Sequence, residues 1–174
     1  MTAPATTLRE LAFQTILKNR INHGGILAAG AGKVKYGENG KELKSRWYPQ
    51  TLKQRILNIQ SVRDRMEFIE GAGLAVIRAH AHRADAVFFV DPPYTAGGKR
   101  AGRCLYTYAD LDHHELFRLM ATVAGDFLIT YDNADAIYAL ARQYQFDTQL
   151  VAMKNTHHAE MTELLIGKNL AWAR

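Results

Sequence analysis

Val87-Phe88-Phe89-Val90-Asp91-Pro92-Pro93-Tyr94 is the stretch on which the fold turns. Its first four residues are β-branched or aromatic, the types that fit a pleated strand. The run is apolar without alternation, which predicts a strand covered on both faces, as in a parallel sheet. Asp91 ends it. Each proline then fixes its own φ and removes an N–H donor. Pro92 restricts Asp91, and Pro93 restricts Pro92, to extended backbone. The chain should therefore leave the strand in a stiff hook.

Outward from this stretch, strands and helices alternate. On its C-terminal side, Asp110 to Val123 predicts a helix capped by Asp110 or Asp112. Phe127 to Tyr131 predicts a buried strand ending in Asp132-Asn133, and Asp135 to Tyr144 another helix. Phe146 to Met153 and Thr162 to Ile166 predict two last strands, joined by a polar segment short enough for an antiparallel return. On the N-terminal side, Leu74 to Ile77, after Gly71 to Gly73, reads as a short buried strand. The pattern predicts an α/β, doubly wound sheet with an antiparallel strand near one edge. Ligands of such sheets sit at the carboxyl ends of strands, where Asp91 and Asp132 fall on neighbouring strands.

The first part of the chain reads differently. Thr7 to Arg20 predicts a helix with Thr7 and Glu10 as a capping box and a stripe of Leu8, Leu11, Ala12, Thr15 and Ile16. Gly24 to Gly40 is rich in glycine and poor in large apolar residues, as a loop or irregular lobe would be. A second helix opens near Tyr48-Pro49, with Thr51 another candidate cap, and continues through Leu52, Ile56 and Ile59. The expected division is residues 1–72, a small helical and basic lobe, and 73–174, an α/β portion.

The 174 residues suffice for an ordinary core, with 48% hydrophobic and 22% charged. No run approaches the roughly 18 apolar residues of a membrane helix, and Met1 to Arg9 lacks the pattern of a signal peptide. A cytoplasmic protein without a membrane partner is the expectation. The single cysteine, Cys104, forms no internal disulfide and no Cys-rich zinc site. The formal net charge is +5, concentrated in the first third from Lys18 to Arg65, with Lys99, Arg100 and Arg103 after the hook. That excess suits a polyanion; a solvated face with helix pairs such as Glu38–Lys41 and Glu42–Arg46 accounts for it equally.

The hook has a definite chemistry. The Asp91 carboxylate and the Pro92 carbonyl are acceptors that can hold the two hydrogens of an exocyclic amine. Tyr94 offers a flat face to a planar base. The lone pair of an aromatic amine is delocalised and poorly nucleophilic. Two such hydrogen bonds would push the nitrogen towards tetrahedral geometry and concentrate the lone pair for attack on a methyl sulfonium. A base in duplex DNA must be flipped out to reach such a site. A tight turn after a strand is the plainer reading of the same residues.

Here the sequence resembles the Dam-like (D12 class) adenine-specific DNA methyltransferases. Val87 to Tyr94 looks like that family's catalytic motif. Leu105-Tyr106 with Leu111 to Leu116, and Gly125 to Asn133, resemble the segments that follow it. Asn19-Arg20 and Trp47-Tyr48-Pro49 resemble its helical DNA-reading lobe. The resemblance implies a partial Rossmann-like methyltransferase sheet, S-adenosylmethionine as cofactor and double-stranded DNA as partner. It implies catalytic roles for Asp91, Pro92, Pro93 and Tyr94, with Asp91 also facing the cofactor. It places Tyr131, Asp132 and Asn133 at the base pocket. Asn19, Arg20, Lys99 and Arg100 are the expected DNA contacts.

The family's cofactor loop, a Phe-x-Gly-x-Gly pattern after an apolar strand, does not occur; Gly30-Ala31-Gly32 has no such strand before it. A split enzyme whose partner chain is encoded upstream, a truncated or decayed gene, and an artificially shortened chain all remain open. So do activity on cytosine, RNA or a protein amide, and a non-catalytic DNA-binding remnant. Lys154 to His158 reads equally as a polar turn and as a loop approaching base or DNA backbone. His157-His158 is a poor metal pair, because adjacent side chains diverge. His113-His114 are expected to face solvent and His80 and His82 to lie in a loop; Asn133 is also a candidate helix cap.

Overall fold

The structure is a computed structural model that describes residues 5–28, 31–36, 43–94, 110–154 and 160–174. Its backbone contacts divide the chain into two compact units, Met1–Ile69 and Glu70–Arg174.

The first unit holds α1 (Leu8–Ile21) and α2 (Pro49–Val62) with short 3-10 turns. The expected capping box opens α1: Glu10 N–H donates to Thr7 Oγ1 at 3.2 Å, and Thr7 N–H to the Glu10 carboxylate at 3.1 Å. Tyr48, not Thr51, is the cap residue of α2, and Pro49 occupies its first turn, where a missing N–H costs nothing. The stripe along α1 exists but is not a core face: Leu8 is 82% exposed and Leu11 53%. Among the described residues of this unit only Asn22 and Val34 are buried. The glycine-rich turn is held by polar groups instead. Asn19 Nδ2 donates to Gly25 O at 2.9 Å, Asn22 Nδ2 to Ile26 O at 2.7 Å, and Arg46 to Asn22 O at 2.9 Å. Gly25 sits at φ +73°, a backbone conformation that favours glycine, and a Cβ there would lie 2.7 Å from Asn19 Nδ2 and displace that amide. The ion pairs expected of Glu38 and Glu42 lie outside the described residues.

The second unit is α/β with a four-stranded mixed sheet, in the order β1-β2-β4-β3. The strands are β1 (Val87–Val90), β2 (Asp126–Asp132), β3 (Asp147–Lys154) and β4 (Glu160–Gly167). β1 and β2 are parallel, with Phe89 beside Leu128. β4 is antiparallel to both β2 and β3, with Asp132 opposite Glu163. The antiparallel strand thus lies one place from the edge, as the pattern predicts.

The helices of this unit are α3 (Gly73–His80), α4 (His113–Met120) and α5 (Asp135–Gln143). Asp112 caps α4 by accepting from Glu115 N–H at 3.0 Å, so the helix starts later and ends sooner than Asp110 to Val123. Leu74 to Ile77 is not a strand but the first part of α3. Four apolar residues fit either state; here Leu74 and Ile77, three apart, meet one core face, as residues on a helix do.

The core lies on one side of the sheet. Phe127, Ile129 and Tyr131 of β2 and Leu164 and Ile166 of β4 are buried against Leu116, Phe117 and Met120 of α4 and Ile137, Leu140 and Ala141 of α5. Phe117 stacks at 5.9 Å on Phe146, whose ring meets Phe127 edge-on at 4.9 Å. The other side carries Val87 and Phe89, which are 77% and 68% exposed. The expectation that β1 is covered on both faces therefore fails. Among the described residues nothing covers the side of β1 that carries Val87 and Phe89. Gly125 joins α4 to β2 where a Cβ would collide with the carbonyl oxygens of Ala86 and Arg83. The Lys168 ammonium closes the same turn, donating to the Val123 carbonyl at 2.7 Å and to that of Gly125.

Candidate functional site

The site forms where β1 and β2 end side by side. Asp91 follows β1, and its register neighbour on β2 is Thr130, one residue beyond the Val90–Ile129 pair. Thr130 is buried and donates from Oγ1 to Asp91 Oδ1 at 2.9 Å. The Tyr94 hydroxyl donates to the same oxygen at 3.1 Å. One carboxylate oxygen is thus fixed by two donors. Among the described residues no hydrogen bond reaches the other, Oδ2, which is left to meet a ligand on the exposed side of Asp91.

Tyr94 folds back over the strand ends. Its ring is half-buried and stacks on Tyr131 at 5.9 Å with 29° between planes. Tyr131 is in turn fixed by Phe117, at 6.0 Å, and by His113, whose Nδ1 lies 2.7 Å from the Tyr131 hydroxyl. This corrects two expectations. Tyr131 has no exposed surface, so it backs Tyr94 rather than lining a base pocket. His113 is half-buried and bonded rather than solvent-facing, although His114 is exposed.

Burial and charge set the protonation of these groups. The Tyr94 phenol is pushed up to about 12, chiefly by burial, with the negative charges of Asp91 and Glu163 adding to it. Burial raises Tyr131 still further, with Asp132 and Tyr94 as lesser causes. Burial lowers His113, against the opposing pull of Asp112 and Asp132. The Glu163 carboxyl is raised, first by burial and then by Asp91.

Asp132 is buried at the end of β2. Asn133 is exposed, and its Nδ2 donates to Thr162 Oγ1 at 3.1 Å; it does not cap α5, whose cap residue is Ala134 without a side-chain bond. Thr130 and Glu163 are site residues that the motif reading misses. Thr130 carries a sequence signal, a lone polar residue inside the apolar run Phe-Leu-Ile-Thr-Tyr, whereas Glu163 follows Thr162 at the polar start of its strand and has none.

Of the expected DNA contacts, Asn19 and Arg20 are engaged within the first unit. Arg20 donates to the Tyr48 hydroxyl at 2.8 Å and to Asn19 Oδ1 at 2.7 Å, and its guanidinium lies 5.4 Å from the Tyr48 ring centroid. Lys99, Arg100 and Arg103 lie outside the described residues, as do residues 155–159 of the polar segment before β4. His80 closes α3 rather than lying in a loop, whereas His82 lies in the turn that follows.

Among the described residues no group of three or more His, Cys, Asp or Glu could hold a metal ion. No described helix is long and apolar enough to cross a membrane. No family model matches the chain, and no curated protein matches it.

Proposed function

We propose that the chain is the amine-binding portion of an S-adenosylmethionine-dependent methyltransferase acting on the exocyclic amine of an adenine flipped out of double-stranded DNA. One observation carries this reading. Asp91 stands at the carboxyl end of a parallel strand with Oδ1 held by Thr130 and Tyr94 and with Oδ2 taking no hydrogen bond from the other described residues. Oδ2 accepts one amine hydrogen and the Pro92 carbonyl the other. Tyr94, backed by Tyr131, presents its face to the base ring.

The fit to the cofactor is partial. S-adenosylmethionine supplies an electrophilic methyl group on a sulfonium, and the anionic Asp91 suits that cation. The glycine pattern that would hold its adenosyl part is not in the sequence. That part is then held by a segment outside these residues, whether on a partner chain or not. This chain's own contribution is to orient the amine and to localise its lone pair, a positioning and electrostatic role.

The test is methyl transfer from labelled S-adenosylmethionine to duplex DNA, with and without the product of the adjoining upstream reading frame. Asp91→Ala should abolish transfer and leave DNA binding within about twofold, since a surface carboxylate gives no affinity for phosphate. Transfer by Asp91→Ala at the wild-type rate sinks the reading. Transfer to free cytosine but not adenine moves it to the other amine-bearing base.

A further inference from the structure

We propose that Glu163 is the proton-holding partner of Asp91, taking up through Asp91 the proton that a base amine releases when it is methylated. The inference rests on the function proposed above and deepens it. Its geometry comes from the sheet. Glu163 on β4 is the register partner of Asp132 on β2, and paired residues of a sheet project to the same side. Thr130, two residues before Asp132, shares that side and donates to Asp91 at 2.9 Å. Three strands thus bring Asp91, Thr130, Asp132 and Glu163 to one face at one end of the sheet. Across from Glu163 on the other flank, β3 offers Val151, which has no charge.

The reaction needs such a group. The amine nitrogen uses its lone pair to form the N–C bond. The C–S bond breaks, and its electron pair stays on the thioether sulfur. The nitrogen is left cationic, with one proton too many. That proton passes to Asp91 Oδ2, is carried by water across the end of β2 to a Glu163 carboxylate oxygen, and leaves from there to bulk solvent. Asp91 is then an acceptor again for the next amine. No oxidant or further reactant enters.

The titratable neighbours differ in fitness for the task. Tyr94, pushed up to about 12, is already protonated and remains a donor. The Nδ1 of His113 is engaged with the Tyr131 hydroxyl at 2.7 Å. Asp132 is more deeply buried than Glu163. Glu163 is half-buried, and burial together with the negative charge of Asp91 makes its carboxylate easier to protonate than an ordinary glutamate.

Two measurements on the full chain test this. The first is a carboxyl-carbon NMR titration of ¹³C-glutamate-labelled protein, with the Glu163 signal identified by its loss in Glu163→Gln. The midpoint should lie above the ordinary glutamate value of about 4.3. It should fall by roughly half a unit or more in Asp91→Asn, where the neighbouring charge is removed. A midpoint unmoved by Asp91→Asn overturns the pairing. This arm needs neither cofactor nor DNA, and it decides the question if Glu163→Gln fails to fold, because Asp91→Asn leaves Glu163 in place.

The second is single-turnover methyl transfer against pH. Wild-type transfer should decline on the acid side with the Glu163 midpoint. Glu163→Gln should slow it about tenfold or more and abolish that limb, while Glu163→Asp should restore the limb. DNA affinity should not follow. Equal transfer by wild type and Glu163→Gln overturns the role of Glu163 alone. A wild-type chain that transfers no methyl under any of the conditions overturns the function and the role together.

Discussion

A single hydroxyl shows how this site assigns its protons. Tyr94 donates to Asp91 at 3.1 Å, and a phenol pushed up to about 12 keeps that proton through the whole neutral range. Its midpoint in an unfolded chain is about 10. The folded state therefore binds more proton than the unfolded state between those values, and stability falls as pH rises through the window. Below pH 10 the contribution is fully present; above about 12 it is lost, and the phenolate then faces the Asp91 carboxylate as a like charge. Ring-labelled tyrosine NMR should show Tyr94 titrating near 12, above the value of about 10 for an unfolded chain. A Tyr94 midpoint near 10 would mean that the ring is neither half-buried nor set against the carboxylates.

At the scale of elements, the end of α5 makes a specific prediction. Phe146 N–H donates to Ala141 O at 2.9 Å and Gln145 N–H to Arg142 O at 3.1 Å, the paired bonds of a Schellman ending. Gln145 occupies the left-handed position at φ 57°, where a Cβ is strained and glycine is not. Gln145→Gly should therefore stabilise the protein by about 0.5–1 kcal/mol, after allowance for the greater freedom of glycine in the unfolded chain. The measurement is a urea midpoint; a lowered midpoint contradicts the assigned strain. The same helix shows what sequence can and cannot carry. Its apolar period and its place after β2 are legible in Asp135 to Tyr144, but nothing in Gln145 announces a left-handed residue. The hook at Asp91 is legible because prolines dictate backbone locally. Leu74 to Ile77 is not, because a four-residue apolar run fits a buried helix turn as well as a strand. Thr130 and Glu163 join the site only through strand register, which is a long-range property. The burial of His113 likewise depends on how α4 meets β2, and no local pattern encodes it.

At the scale of the molecule, the sheet of the second unit has one covered face and one bare margin, and the two should respond differently to the same kind of change. Ile129 has no exposed surface and is packed beneath α4 and α5. Ile129→Ala removes buried atoms and leaves a cavity, at a cost of about 2–5 kcal/mol. Phe89 is one strand away and as apolar, yet it is 68% exposed. Phe89→Ser removes little buried surface, so its cost should stay within about 1 kcal/mol. Among the described strands β1 is also the edge of the sheet, and it carries none of the lysines or prolines with which exposed edges are guarded against pairing with another chain. Phe89→Ser should therefore reduce self-association as seen by light scattering at high protein concentration, with far-ultraviolet circular dichroism unchanged. A loss of several kcal/mol on Phe89→Ser would mean that this side of β1 is covered in solution. The bare margin would then belong to the core, and Asp91 would open onto a walled cleft rather than onto solvent.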